Sequence, residues 1–102
     1  MLVVAAPRLA AADWQVHRGG SSLLLERGER ALRDNPDDEA LARRVVQLAG
    51  RSGAPALRAR FGARAATATT YPPLAAYAQL LLALGDAAEA ARAFAEALKV
   101  AP

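Results

Sequence analysis

Apolar residues between Ser21 and Pro102 recur every three or four positions, and short clusters of Gly, Pro, Asn and Asp interrupt them. That period belongs to helices that bury one face. Leu24, Leu25, Ala31 and Leu32 predict a first helix, capped by Ser21 or Ser22. It closes at Asn35-Pro36, because a residue before proline is pushed out of the α region. Glu26 and Glu29 come early in it and Arg30 and Arg33 late, as the helix dipole favours. Asp37 or Asp38 caps a second helix with Leu41, Val45, Leu48 and Ala49 inward, ending over Gly50 to Gly53. Pro55 suits the first turn of a third, with Leu57, Phe61 and Ala65 on its inner face. Thr67 to Pro73 reads as a connector, β-branched and closed by a double proline. Leu74, Tyr77, Leu81 and Leu84 mark a fourth helix, and Gly85-Asp86 makes the next turn. Asp86 then caps a fifth helix carrying Ala90, Phe94, Ala97 and Leu98 on one face.

The expectation is therefore an all-α chain of about five helices. Composition points the same way: 54% of residues are hydrophobic, yet aromatics are only 5% and Ala dominates the rest. Ala is the strongest helix former, and β-branched and aromatic runs typical of strands are nearly absent. A length of 102 residues suits one domain.

The last stretch, Tyr71 to Pro102, has an order of sizes along it. Leu74 is large, Ala78 small, Gly85-Asp86 turns the chain, Ala90 is small, Phe94 aromatic, Ala97 small, and Pro102 closes the unit. Tyr77 and Leu81 fill the remaining interface positions. The alanines permit close helix approach and Phe94 fills the gap they leave. This stretch resembles a single tetratricopeptide repeat, a helix–turn–helix unit of about 34 residues. Aliphatic residues stand where the first helix of that family usually carries Trp and Tyr.

Weaker echoes lie upstream. Ala31 to Pro36 parallels Ala97 to Pro102 at an offset of 66, Phe61 parallels Phe94 at 33, and Val45 to Leu48 parallels Tyr77 to Leu80 at 32. Gly19-Gly20 closes an expected flexible N-terminal segment, 1–20, and the resemblance implies a repeat domain over 21–102. Within that domain, 21–36 is the second helix of a partial repeat, 37–70 a degenerate repeat and 71–102 a regular one. Arg58, Arg60 and Arg64 depart from the family pattern in the middle unit. The implied fold is a right-handed antiparallel helix–turn–helix array, an α-solenoid.

Charge adds a candidate surface. The net charge is +3, but no acid lies between Ala40 and Gly85, where Arg43, Arg44, Arg51, Arg58, Arg60 and Arg64 all fall. Arg43, Gln47 and Arg51 share one face at i, i+4 and i+8. In the tetratricopeptide geometry that face lines the concave groove, with Gln79 equivalent to Gln47 and Leu82 beside it. Arginine pairs bidentately with carboxylates, so the expected partner is a protein or peptide with acidic groups. The competing expectation is a solvated arginine-rich face. The Lys and Asn set with which some family members grip a C-terminal carboxylate is not found here. A nucleic-acid partner fits less well, since the charge is mild and no aromatic residues interleave with the arginines.

No catalytic, metal-binding or cofactor site is expected. The chain has no Cys and a single His, His17, without an evident partner. Asp37-Asp38-Glu39 sits where a cap and first-turn acids belong. Gly19-Gly20 and Gly50 to Gly53 lack the phosphate-cradling P-loop pattern. Trp14 reads as a hydrophobic plug on the first helix pair.

No run approaches the ~20 apolar residues that span a bilayer. Met1 to Ala6 is apolar and Ala10 to Ala12 resembles a cleavage site, but a basic leader is missing and Pro7 and Arg8 break the run. The segment is a frayed tail, with a cytoplasmic location by default, or else Met1 to Ala12 is the end of a truncated export signal and the protein works outside the cytoplasm. Ending on a closing proline, with no polar capping helix, implies self-association through the last helix or a longer array. Two functions follow as expectations: a non-catalytic interaction scaffold, or a structural N-terminal fragment of a longer exported bacterial repeat protein with no binding of its own.

Overall fold

The computed structural model describes residues 22–102, and these form four helices with no strand among them: α1 (22–34), α2 (Glu39–Ala66), α3 (Tyr71–Ala83) and α4 (Ala87–Lys99). The all-α expectation holds. The segment 1–20, with Trp14, His17 and the signal-like run, lies outside the described residues, as does Ser21. Ser22 is already helical and so is not the cap.

The helix count differs from the expected five, because the second and third predicted helices run on as the single element α2. Within it Gly50 alone is non-helical, at φ 69° and ψ 179°. Those angles are open essentially to glycine only. No atom lies within 4 Å of where a Gly50 Cβ would stand, so backbone conformation rather than crowding calls for glycine. Helical residues resume at Arg51, about a turn ahead of Pro55, so the expected break over Gly50 to Gly53 narrows to one residue.

Short polar residues fix the other ends. The Asn35 side-chain amide donates to Ala31 O at 2.9 Å and closes α1. Asp38, of the two candidates, caps α2 by accepting from Leu41 N at 3.0 Å. Asp37 accepts instead from the Tyr71 hydroxyl at 2.6 Å, tying the α1–α2 turn to the start of α3. The connector ends earlier than predicted: α3 begins at Tyr71 and takes Pro72 and Pro73 into its first turn. A first-turn N–H has no intrahelical partner, so its loss in proline costs nothing there. After α3, Gly85 (φ 89°) donates to Leu82 O at 3.0 Å and Asp86 N to Leu81 O at 3.0 Å. This paired closure requires a left-handed residue at Gly85. Asp86 then caps α4 through Glu89 N at 3.2 Å, as predicted.

No charged residue occurs in α3, and Ala75, Ala76, Ala78, Gln79, Leu80 and Leu81 are all buried. A helix apolar on all sides has to be covered on more than one. It packs against both α2 and α4. The core joins Leu32 of α1, Ala42, Val45, Leu57 and Phe61 of α2, and Ala76 and Leu80 of α3. At Gly28 of α1 an added Cβ would stand 3.1 Å from Val45 Cγ2, so glycine permits that helix crossing. Ala90 and Ala97 of α4 are buried, while Leu98 is 70% exposed, and Leu24 of α1 is 49% exposed. Both leucines were expected inward. Leu98 follows buried Ala97, and one residue turns a helix by about 100°, which carries it off the buried face.

Gly50→Ala should destabilise the chain by about 1–3 kcal/mol, the usual cost of forcing an L-residue into a backbone region open essentially to glycine. Gly53→Ala should be neutral or stabilising by up to about 1 kcal/mol, since Gly53 is helical and its added Cβ would meet Ala49 Cβ at an ordinary 3.4 Å. Urea denaturation of both variants checks the opposite signs.

Candidate functional site

The arginines of α2 divide into two sets. Arg60 donates from Nε to Glu29 Oε1 at 3.0 Å and from Nη2 to Glu29 Oε2 at 2.8 Å, a bidentate pair joining α2 to α1. The Glu29 side chain is 7% exposed, whereas that of Arg60 is 42% exposed. The pair thus satisfies a carboxylate that water barely reaches. Arg58 donates from Nη2 to Asp86 Oδ2 at 2.9 Å, while Asp86 Oδ1 holds the start of α4. The Glu89 N–H first, and Arg58 second, hold the Asp86 carboxyl below its ordinary pKa. The belt that looks uncompensated along the sequence therefore draws its acids from 31 and 28 residues away. One signal did point to Glu29: it lies four residues after Leu25 and three before Leu32, on the apolar face of α1.

Arg43 lies on the first part of α2, in a shallow cleft of about 130 Å³ shared with α3. The cleft is lined by Glu39, Arg43, Gln79, Leu82 and Ala83. Three of the five predicted groove residues thus meet there. Gln79 is 7% exposed and shows only an edge, whereas Leu82 is 43% exposed. Glu39 stands 4.0 Å from Arg43 and offsets part of its charge. Gln47 is exposed, and neither it nor Arg51 lines this cleft. Arg51 follows the break at Gly50, so the i+8 relation that placed it on the face of Arg43 does not carry across.

Of the residues matched to the repeat pattern, Ala78, Leu81, Ala90 and Ala97 are buried. Leu74, Tyr77 and Phe94 are half-buried, Gly85 occupies the turn, and Pro102 lies exposed beyond α4. A larger, mostly apolar cleft of about 500 Å³ opens between α2, α3 and α4 over Gly62, Leu74, Tyr77 and Ala93. Its rim carries Glu96 and the Arg92–Glu89 ion pair. A third, polar cleft of about 490 Å³ lies between α1 and the second part of α2.

Among the described residues no group of three His, Cys, Asp or Glu side chains could hold a metal ion, and no helix is long and apolar enough to cross a membrane. No protein-family model, curated protein or solved structure matches the chain.

Arg60→Gln should cost about 1–3 kcal/mol by leaving the Glu29 carboxylate buried without its cation. Adding Glu29→Gln should recover part of that loss in a urea double-mutant cycle, and strict additivity would deny the pair a structural role. In an NMR acid titration Asp86 should ionise below the ordinary carboxyl range. Its native-state stabilisation is then present above the unfolded pKa and lost as pH falls through the lower folded value. Arg58→Gln should move Asp86 only part of the way back, because the Glu89 N–H remains.

Proposed function

We propose that the chain is a non-catalytic protein-interaction module of tetratricopeptide-like design, which holds a peptide or partner helix against the groove between α2 and α3. The observation that carries it is the meeting of Arg43, Gln79 and Leu82 at one cleft. A cation, an amide edge and a half-exposed leucine together suit an extended or helical segment that presents one carboxylate beside an apolar side chain. Glu39 beside Arg43 favours such a mixed segment over a uniformly acidic one.

The solenoid reading draws support from the same features. Gly50 divides α2 into two rods, which would serve as the two helices of the middle repeat, with α3 and α4 as the next pair. The turn at Gly85-Asp86 and the buried small residues Ala78, Ala90 and Ala97 suit a stack of helix pairs. A nucleic-acid role loses ground, because Arg58 and Arg60 are engaged in ion pairs within the fold.

A second mode, self-association through α4, is favoured by Leu98 and Val100, which are 70% and 39% exposed. The idea of an inert structural fragment expects neither mode of binding.

Fluorescence anisotropy with labelled peptides carrying one carboxylate next to a leucine tests the groove. Arg43→Glu and Leu82→Asp should each weaken binding about tenfold or more, by loss of a charge-assisted contact or of apolar burial. Affinity unchanged in both variants would sink the groove. For self-association, light scattering after size exclusion should show mass rising with concentration, and Leu98→Glu should abolish the rise. A constant monomer near 10.6 kDa would eliminate that second mode.

A further inference from the structure

The polar cleft between α1 and the second part of α2 shares no lining residue with the groove. Four arginines line it, Arg30 and Arg33 from α1 and Arg60 and Arg64 from α2, together with Glu26 and Glu29. Glu29 is already held by Arg60 through both oxygens, and that pair is neutral as a unit. Arg30, Arg33 and Arg64 make no ion pair with any described residue. Among the described lining residues, three arginines against Glu26 leave a surplus of two positive charges.

Arg33 and Arg64 also share the wall of a second, small apolar notch of about 70 Å³ with Phe61, Pro72 and Pro73. Arg64 rests over the Phe61 ring at 5.4 Å, which steadies its planar cation at the cleft wall. Burial first, and the charge of Arg33 second, hold the Arg64 guanidinium below its ordinary pKa. Such crowding of like charge is relieved when an anion sits between the two groups.

We propose that this cleft is a binding site for a phosphate group, carried as a phosphate monoester or as a diphosphate. The choice of phosphate over a single carboxylate follows from charge: a phosphate monoester carries about −1.5 to −2 near neutral pH, against the surplus of two positive charges among the described lining residues. Guanidinium forks pair bidentately with phosphate oxygens, and three forks offer more donors than one carboxylate accepts. A cleft of about 490 Å³ also has room for the body that bears the phosphate, being within the size range of small-molecule sites.

The test uses the full chain, with sodium pyrophosphate and a phosphoserine peptide as probes, against sodium chloride at matched ionic strength and the unphosphorylated peptide. Pyrophosphate should raise Tm above the chloride control, as a ligand of the native state does. In calorimetric titration Arg33→Gln and Arg64→Gln should each weaken binding about tenfold, and Arg44→Gln, on exposed surface away from the cleft, should not. Neither arginine pairs with Glu29, so both variants keep the α1–α2 tie, and circular dichroism verifies their fold. Tighter binding of the phosphopeptide would assign the phosphate to a protein side chain, and tighter binding of pyrophosphate to a free small molecule. A Tm shift no larger than that in chloride, or one retained in the Arg33→Gln/Arg64→Gln double variant, would overturn the site.

Discussion

Thirteen consecutive residues without a charge make α3 insoluble as a lone helix, and the other helices are arranged around the need to cover it. Covering it takes two neighbours. The second part of α2 contributes Leu57 and Phe61 from one side, and α4 contributes the alanine face of Ala90 and Ala97 from the other. Because the facing residues of α3 and α4 are so often alanine, the helices gain contact by close approach rather than by large interlocking side chains. That makes the approach intolerant of bulk.

Electrostatics holds the cover in place. Asp86 sits at the one turn that α4 cannot do without, with one oxygen on the helix start and the other on Arg58 of α2. A single carboxylate thereby links the two helices that flank α3. Glu29 and Arg60 do the same for α1, at a point where the carboxylate is nearly dry. A dry carboxylate without its cation carries a heavy desolvation cost, so the pair fixes the placement of α1 more than it adds net stability.

Much of this was legible along the chain. Helical class, the Asp86 cap, the Gly85 turn and the inward positions Leu32, Val45, Leu57, Phe61 and Leu81 follow from period and turn chemistry alone. Three features did not. The Gly50 break was blurred into a longer stretch, because glycine and serine nearby look equally like punctuation and only φ and ψ separate them. The α3 start lies ahead of the double proline, since a double proline ends a helix or opens one depending on which side the N–H is missed. The arginine belt looked free because its acids are distant in sequence, and periodicity carries no information about contacts between helices. Of the groove, Arg43, Gln79 and Leu82 come together, while Arg51 was lost to the same glycine that a continuous helix would not contain.

The covering of α3 by its sequence neighbours has a kinetic side. The extensive packing runs from α2 to α3 and from α3 to α4, between helices joined by short turns, so most native contacts close small loops. Chains of this kind reach the native state fast, on the microsecond to millisecond scale, because little chain entropy is lost before packing begins to compensate. Loss of α4 would strip one flank of α3 while the contacts of α1 with α2 stay intact.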